Sequence, residues 1–458
     1  MLKIQDTSTP VLVLRSDSHG GLNIMRSLGR MGVRVHNLDP NRWAPTFFSR
    51  YCKQKFYWDI EGRPPLESVE YLLQIGRKMD RPSILIPTTD RTALFVADYG
   101  HLLKEQFLFQ NQQPELTHAL CSKKEMFYLA RRHNIPTPDA AFPACRDDVV
   151  NFLKHARFPI MLKGIDGQRL WERTRKKMFI VTSERELLDK YDAIEDPLNP
   201  NLMLQEFIPG GDDVVWMFNG YFNENSDCLA AFTGRKIRQA PVYTGATCLG
   251  ICLENKPVEE TTKKFMKAIG YKGILDIGYR YDARDGKYKV LDINPRIGAT
   301  FRLFVDKNGM DVARALYLDF TGQPVFSMPV VEGRKWVVED LDLVSSYRYY
   351  RDGKLTLKGW ITSFRGVEEA AFLASDDPLP ILPMCIGRLV ELFRRILRKF
   401  SAARPLLRKI SINDGDGGRE NVPGTPKSHS GDYSLECKSD KLSSQKKILG
   451  LSGRELRP

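Results

Sequence analysis

Asp292, Asn294 and Arg296 stand at alternate positions in Val290-Leu291-Asp292-Ile293-Asn294-Pro295-Arg296, an apolar run with the character of a β-strand. Side chains two residues apart on a strand share a face, so the Asp292 carboxylate and the Asn294 amide oxygen are expected to share one metal ion. Hard oxygens in this number suit Mg²⁺, which keeps several waters and is usually held by one or two protein oxygens together with substrate phosphates. Pro295 has no N–H and helps end the strand. Arg296 then falls just past the strand end, where its planar fork can hold a phosphoryl group through two parallel hydrogen bonds. Taken alone, the same run would also serve as an ordinary strand end with a surface arginine.

Such a strand needs a partner and a frame. Gly273 to Tyr281 and Lys287 to Ile293 flank Asp282-Ala283-Arg284-Asp285-Gly286, whose Asp-Gly ending marks a tight antiparallel hairpin. Near the start, Val11-Leu12-Val13-Leu14 reads as a buried parallel strand, followed by Gly20-Gly21, a helix over 22–31 and a second strand at Val33 to Leu38. With a third strand at Ser83 to Pro87 this is a βαβ unit of Rossmann-like form. The dinucleotide fingerprint G-x-G-x-x-G is absent, which argues against a nicotinamide cofactor. Ser122 to His133 has helical periodicity and a serine cap, stopped by Ile135-Pro136-Thr137-Pro138. A helix near 147–156, a strand at Pro159 to Lys163, a polar loop from Gly164 to Lys177 and a strand at Asn201 to Ile208 follow.

With 458 residues, 42% of them hydrophobic and 27% charged, the chain can bury several cores, and wholesale disorder is excluded. No uninterrupted apolar stretch approaches the ~20 residues of a spanning helix. The N-terminus lacks a signal-type apolar region, so the expected location is the cytoplasm, with peripheral contact at the inner face of a membrane as an addition. The eight cysteines are scattered without a C-x-x-C pair, and reduced thiols are the expectation. A net charge of +13 attracts nucleic acid, anionic membranes and phosphate-bearing ligands alike. No RNA-binding signature, basic-aromatic repeat or helix-turn-helix cue accompanies it, so no nucleic-acid partner is expected. Residues 386–400 form a basic amphipathic helix suited either to docking on its own domain or to a membrane surface. Beyond Ile412 the composition is that of a disordered tail.

The Asp-Ile-Asn-Pro-Arg segment resembles the metal-binding strand of the ATP-grasp superfamily, and three further motifs occur in that superfamily's order. The resemblance covers about residues 11 to 325 and looks closest to the carboxylate–amine ligase type, D-aspartate ligase-like or carbamoyl-phosphate-synthetase-like. It implies an α/β fold made of α+β lobes: a Rossmann-like domain over 1–118, then an ATP-grasp domain over 119–325 whose antiparallel sheets enclose a nucleotide cleft. An accessory segment at 326–405 and a tail at 406–458 complete this division. By the same likeness Lys123 contacts nucleotide phosphates, Lys163 reaches into the cleft from a strand end, and Glu206 with the backbone of Phe207 and Ile208 pairs with adenine. Asp213 meets the ribose, and Arg235 and Lys236 join Arg296 around the transferring phosphate. Asp292 and Asn294 hold Mg²⁺, with Mn²⁺ as an alternative ion.

Two departures stand out. Relatives place a Glu or Gln on the preceding strand where this chain has Gly278; Asp276, or less favourably Asp282, is expected to substitute. The phosphate-covering loop from Gly164 to Lys177 is poor in glycine and rich in cations. What the resemblance implies is an ADP-forming ligase that makes a carbon–nitrogen bond from ATP, a small-molecule or polymer-linked carboxylate and an amine, compatible with a homo-oligomer. The competing class is an inactive ATP-grasp scaffold that binds nucleic acid or a membrane surface.

Overall fold

The computed structural model describes residues 2–16, 18–391, 393 and 394. The tail expected from residue 406 and the far part of the 386–400 helix lie outside the described residues.

Five short strands form the first sheet: Val11–Leu14 (β1), Val35–Leu38 (β2), Cys52–Phe56 (β3), Ser83–Pro87 (β4) and Phe107–Leu108 (β5). They are parallel in the order β3-β2-β1-β4-β5, with crossovers through helices His19–Gly29 (α1), Pro65–Gly76 (α2) and Asp90–Leu103 (α3). β1 is apolar throughout because both of its faces are covered, as parallel sheets require. Val11 and Val13 enter one core, whereas Leu12 and Leu14 enter a second core beneath α2 and α3.

Helices Pro114–Cys121 (α4) and Lys123–Arg132 (α5) lead to a small antiparallel sheet. Its strands are Ala140–Ala141 (β6), Ile160–Gly164 (β7), Met178–Val181 (β8) and Leu202–Glu206 (β9), ordered β6-β9-β7-β8. Helices Arg146–Leu153 (α6) and Glu184–Ile194 (α8) cover one face of it, onto which Ile160, Leu162 and Leu204 project. Between β7 and β8 the expected polar loop is instead a helix, Gly167–Thr174 (α7). Asp166 caps it by accepting hydrogen bonds from the N–H groups of Gln168 and Arg169, and Leu170 buries against the small core. The scarcity of glycine that marked this segment as unusual is what lets it close a helix.

The third sheet has seven strands in the order β14-β13-β10-β11-β12-β15-β16. Its members are Val215–Phe222 (β10), Cys228–Ala240 (β11), Ala246–Cys252 (β12), Gly273–Asp282 (β13), Lys287–Asn294 (β14), Lys335–Val337 (β15) and Val367–Ala370 (β16). Alternation along β10 sends Met217 and Tyr221 to the main core shared with the first sheet, α1 and Val312–Phe320 (α10). Phe218 and Phe222 go to the other face, packed by α4, α5 and Lys256–Ala268 (α9).

The segment after Pro324 is built into this frame. It supplies β15 and β16, the helices Glu339–Arg351 (α11) and Leu357–Ser363 (α12), and a further helix over 381–391, and Trp336, Val338 and Phe372 enter the main core. A buried ion pair clamps it to α1: Arg26 Nε donates to Asp377 Oδ2 at 3.0 Å, both side chains being 1% exposed. The remaining Arg26 donors reach the carbonyls of Ala371, Phe372 and Asp377, and Asp377 also accepts from Ser49 Oγ and the Arg50 N–H. Removing one partner of such a pair strands a buried charge, at a cost of about 3–5 kcal/mol. Asp377→Ala should therefore lower unfolding free energy by that amount in denaturant titration; a loss below about 1 kcal/mol would show that Asp377 is not what compensates Arg26.

Candidate nucleotide and metal cleft

The β13–β14 hairpin sets the site. Asp276 pairs with Asn294 and Gly278 with Asp292, after which a bulge at Leu291 shifts the register so that Tyr279 faces Val290. Asp276, Gly278, Asp292 and Asn294 consequently share one face. A Cβ placed on Gly278 would meet no atom within 4 Å, so the position opposite Asp292 is open space. Asn294 Nδ2 donates to Asp276 Oδ2 at 3.2 Å, and its Oδ1 accepts from Arg296 Nη2 at 3.2 Å. Arg296 also donates through Nε to Asp90 Oδ1 at 2.9 Å. Asp90 is the first residue of α3, so this contact ties the strand end to the first sheet.

Three lysines converge on the same carboxylates from separate elements. Lys163 stands on the face of β7 turned away from the small core, and its Nζ donates to Gln205 Oε1 at 2.6 Å across the β7–β9 pair. Burial pushes its amine down to about 8, reinforced by the neighbouring charge of Lys123 and opposed by that of Asp292. Lys123, at the start of α5, donates to the Ile165 carbonyl at 3.3 Å. Lys236 on β11 donates to the Gly245 carbonyl at 2.9 Å and to Gln239 Oε1 at 3.2 Å. Burial lowers its pKa, against the pull of Asp276, Asp212 and Asp292. Arg235 does not join them. It pairs with Trp216 on the opposite face of the sheet, where that indole packs beside the core covered by α4, α5 and α9, because adjacent strand residues alternate sides.

Burial raises the pKa of both Asp276 and Asp292; the charge of Asp292 raises Asp276 further, and that of Asp90 raises Asp292. Asp292 keeps water contact while lying among cleft walls, and among the described residues no hydrogen bond or short ion pair engages its carboxylate. Two carboxylates on one face of the hairpin, beside an open space, form a donor set that fits Mg²⁺. Among the described residues no cluster of three or more acidic, His or Cys side chains gathers, so water and phosphate oxygens would complete the shell, as this ion prefers. Asn294 serves better as the brace between Asp276 and Arg296, since both ends of its amide are already occupied.

The hinge strand is more heavily engaged than its sequence suggests. The Glu206 carboxylate is bound by Arg284 and by Lys289 at 3.4 Å, and it accepts from the Asp139 N–H at 3.1 Å. Arg280 Nε donates to the Ile208 carbonyl at 2.8 Å, so that carbonyl of the expected hinge is already engaged. Asp213 is exposed in the turn Asp212–Val214, near enough to act electrostatically on Arg280. On α7 the cations look outward: Arg169 pairs with Asp196, Arg173 with the Glu195 carbonyl, and Arg175 stacks over Trp171.

Sequence reasoning missed Asp90, Gln205 and Arg280. Arg280 was within reach, since it lies two residues beyond Gly278 on the same strand face. Asp90 was not, because its role depends on how the first sheet meets the third.

No family model matches the chain. In sequence it is similar to the D-aspartate ligase of Enterococcus faecium, 24% identical over 306 residues, which covers 63% of this chain and 70% of that protein. It is 22% identical over 210 residues to the C-terminal section of the carbamoyl phosphate synthase large chain of Methanocaldococcus jannaschii, covering 44% of this chain but 32% of that one. In structure it is similar to the ADP complex of N5-carboxyaminoimidazole synthetase from Staphylococcus aureus, with a TM-score of 0.55, 14% identity and coverage of 77% and 88%. The mixed α/β architecture is the ATP-grasp fold.

The Lys163 amine gives the cleft a pH dependence of definite sign. Below about 8 it is charged and attracts phosphate; above, it loses that charge before an ordinary lysine would. Mg-ATP affinity, read by titration calorimetry, should fall as pH rises through 8 to 9. Lys163→Met should bind weakly at every pH and lose that dependence; an unchanged profile in the variant would assign the titration elsewhere.

Proposed function

We propose that this ATP-grasp protein is an ADP-forming carboxylate–amine ligase working through an acyl phosphate. The observation that carries the reading is the meeting, in one cleft, of Lys123, Lys163, Lys236 and Arg296 with two carboxylates, of which Asp292 has no hydrogen-bonded partner. Similarity to a D-aspartate ligase and to part of a carbamoyl phosphate synthase large chain supports it.

A carboxylate resists amine attack because it is anionic and its oxygen is a poor leaving group. Transfer of the terminal phosphoryl group of ATP to the carboxylate removes both obstacles, releasing ADP. The amine then attacks the acyl carbon, and inorganic phosphate leaves. Phosphoryl transfer needs positioning and charge neutralisation more than covalent help from the protein. Lys123 and Lys163 hold the phosphate chain from the small-sheet side. Lys236 and Arg296 face the developing charge from the third sheet. Asp276 and Asp292 would hold Mg²⁺, which when bound would supply neutralisation of phosphate charge. Asp90 and Asn294 keep Arg296 in place. The substrates are an amino-acid-like carboxylate and an amine, free or polymer-linked.

The test is ADP release with Mg-ATP and pooled D- and L-amino acids and sugar acids, with mass spectrometry of the product. Asp292→Ala and Lys163→Ala should each lower turnover at least about 100-fold while melting as the parent does, consistent with losing electrostatic contacts to the transition state. Full turnover in either variant would contradict the assignment, and binding of Mg-ATP without ADP release under any pool would favour the inactive scaffold. The open space at Gly278 permits a further check. Gly278→Glu should fit without displacing its neighbours and lower the Mg²⁺ concentration that gives half-maximal turnover; a higher requirement would place the ion elsewhere.

A further inference from the structure

The helix over 381–391 lies on the protein in reverse of the usual amphipathic arrangement. Its inner side carries Ile381 and Met384, packed against the main core, and Arg388, which donates to Asp340 on α11. The opposite side carries Leu382, Ile386, Leu389 and Phe393 at spacings of four, three and four, one continuous stripe. These side chains are 55, 48, 65 and 64% exposed. α11 repeats the pattern: Asp342, Ser345 and Tyr349 turn inward, while Leu343, Val344 and Tyr347 face water. Val344 follows Asp340 by one turn on the same side of α11, and the Arg388–Asp340 pair joins the two helices. α12, joined to α11 through Trp360 Nε1 donating to Asp342 at 3.2 Å, adds exposed Leu357 and Ile361. Exposed apolar residues gathered on three helices that hydrogen bonds and an ion pair link together mark an interaction face.

The charges around it select the occupant. Arg348, Arg351, Lys354 and Lys358 interleave with the apolar residues, and in the sequence no acidic residue falls between Glu391 and Asp414 while arginines and lysines recur. A second copy of this +13 chain would bring like charge against like. Among the described residues no helix is long and apolar enough to cross a membrane. We propose that this face docks on a bilayer bearing anionic lipids, its leucines, tyrosines and Phe393 entering the headgroup boundary while the cations meet lipid phosphates. The proposal stands independently of the ligase reading.

Co-sedimentation of the full chain with vesicles tests it. Vesicles of phosphatidylcholine with about 30% phosphatidylserine should retain the protein, pure phosphatidylcholine should not, and about 0.5 M salt should release most of it. The double variant Leu389→Glu, Phe393→Glu removes two apolar contacts and should cut the bound fraction about tenfold or more, with melting and Mg-ATP binding unchanged. Leu343→Glu on α11 gives a second, independent reading should the double variant melt early. Absence of binding to the anionic vesicles, or equal binding by the variants, would overturn the proposal. So would a dimer in sedimentation equilibrium that the same substitutions dissolve, since that would give the face to a second copy.

Discussion

Crowding four cations into one cleft is the constraint on which the rest of the structure depends. Each amine withdrawn from water loses hydration, and each neighbour of like sign adds repulsion; the lowered pKa of Lys163 expresses both effects, and that of Lys236 the loss of hydration. The carboxylates answer only in part. Asp276 and Asp292 are themselves raised by burial, so neither set of charges fully satisfies the other. A phosphate chain arriving with a divalent ion would give the amines an anion and the carboxylates a cation together. The cleft is therefore better matched to a magnesium–polyphosphate than to either component alone.

Holding such groups apart from their own collapse requires rigid supports from different parts of the chain. Lys163 is braced by Gln205 across a strand pair, Lys123 by the Ile165 carbonyl, and Lys236 by Gln239 and the Gly245 carbonyl. Arg296 has the longest reach, since its Asp90 partner begins a helix of the first sheet. That sheet is fixed in turn to the third by a common core and by buried guanidiniums. From the end of α1, Arg30 donates to Glu369 and Ser27 to Asp311, and Arg302 bridges those same two carboxylates. Glu369 lies on β16, so the late segment of the chain helps set the position of the early one.

What could be read from residue order was what depends on short-range periodicity. The Asp-Gly hairpin, the alternation of Asp292 with Asn294, the apolar β1 and the serine-capped α5 are all local patterns, and the structure has each of them. The order of motifs pointed to the ATP-grasp fold because several weak patterns in one sequence constrain each other. Arg235 was misplaced by treating an Arg-Lys dipeptide as one feature, although adjacent strand residues must face opposite sides. The helix α7 was taken for a loop because Leu170 alone marks its buried face. The engagement of Glu206 by Arg284 and Lys289, and of the Ile208 carbonyl by Arg280, depends on which strands lie beside the hinge. No periodicity encodes that.

The exposed face and the cleft are joined by α11. On its inner side, Asp342 receives both arms of Arg238 from β11 at 2.7 and 3.0 Å, a buried bidentate pair, and Tyr349 donates to Asp212. Asp212 accepts from Gln239 at 2.7 Å, and Gln239 accepts from the Lys236 amine. An unbroken chain of hydrogen bonds thus runs from the helix that presents Leu343 and Tyr347 to water as far as a cation of the cleft. Each link is a short contact between side chains on regular structure or a tight turn, so displacement of α11 would have to break a buried charged pair first, a cost of several kcal/mol. A support of this stiffness fixes direction: the cleft stands at a set angle to the outer side of α11.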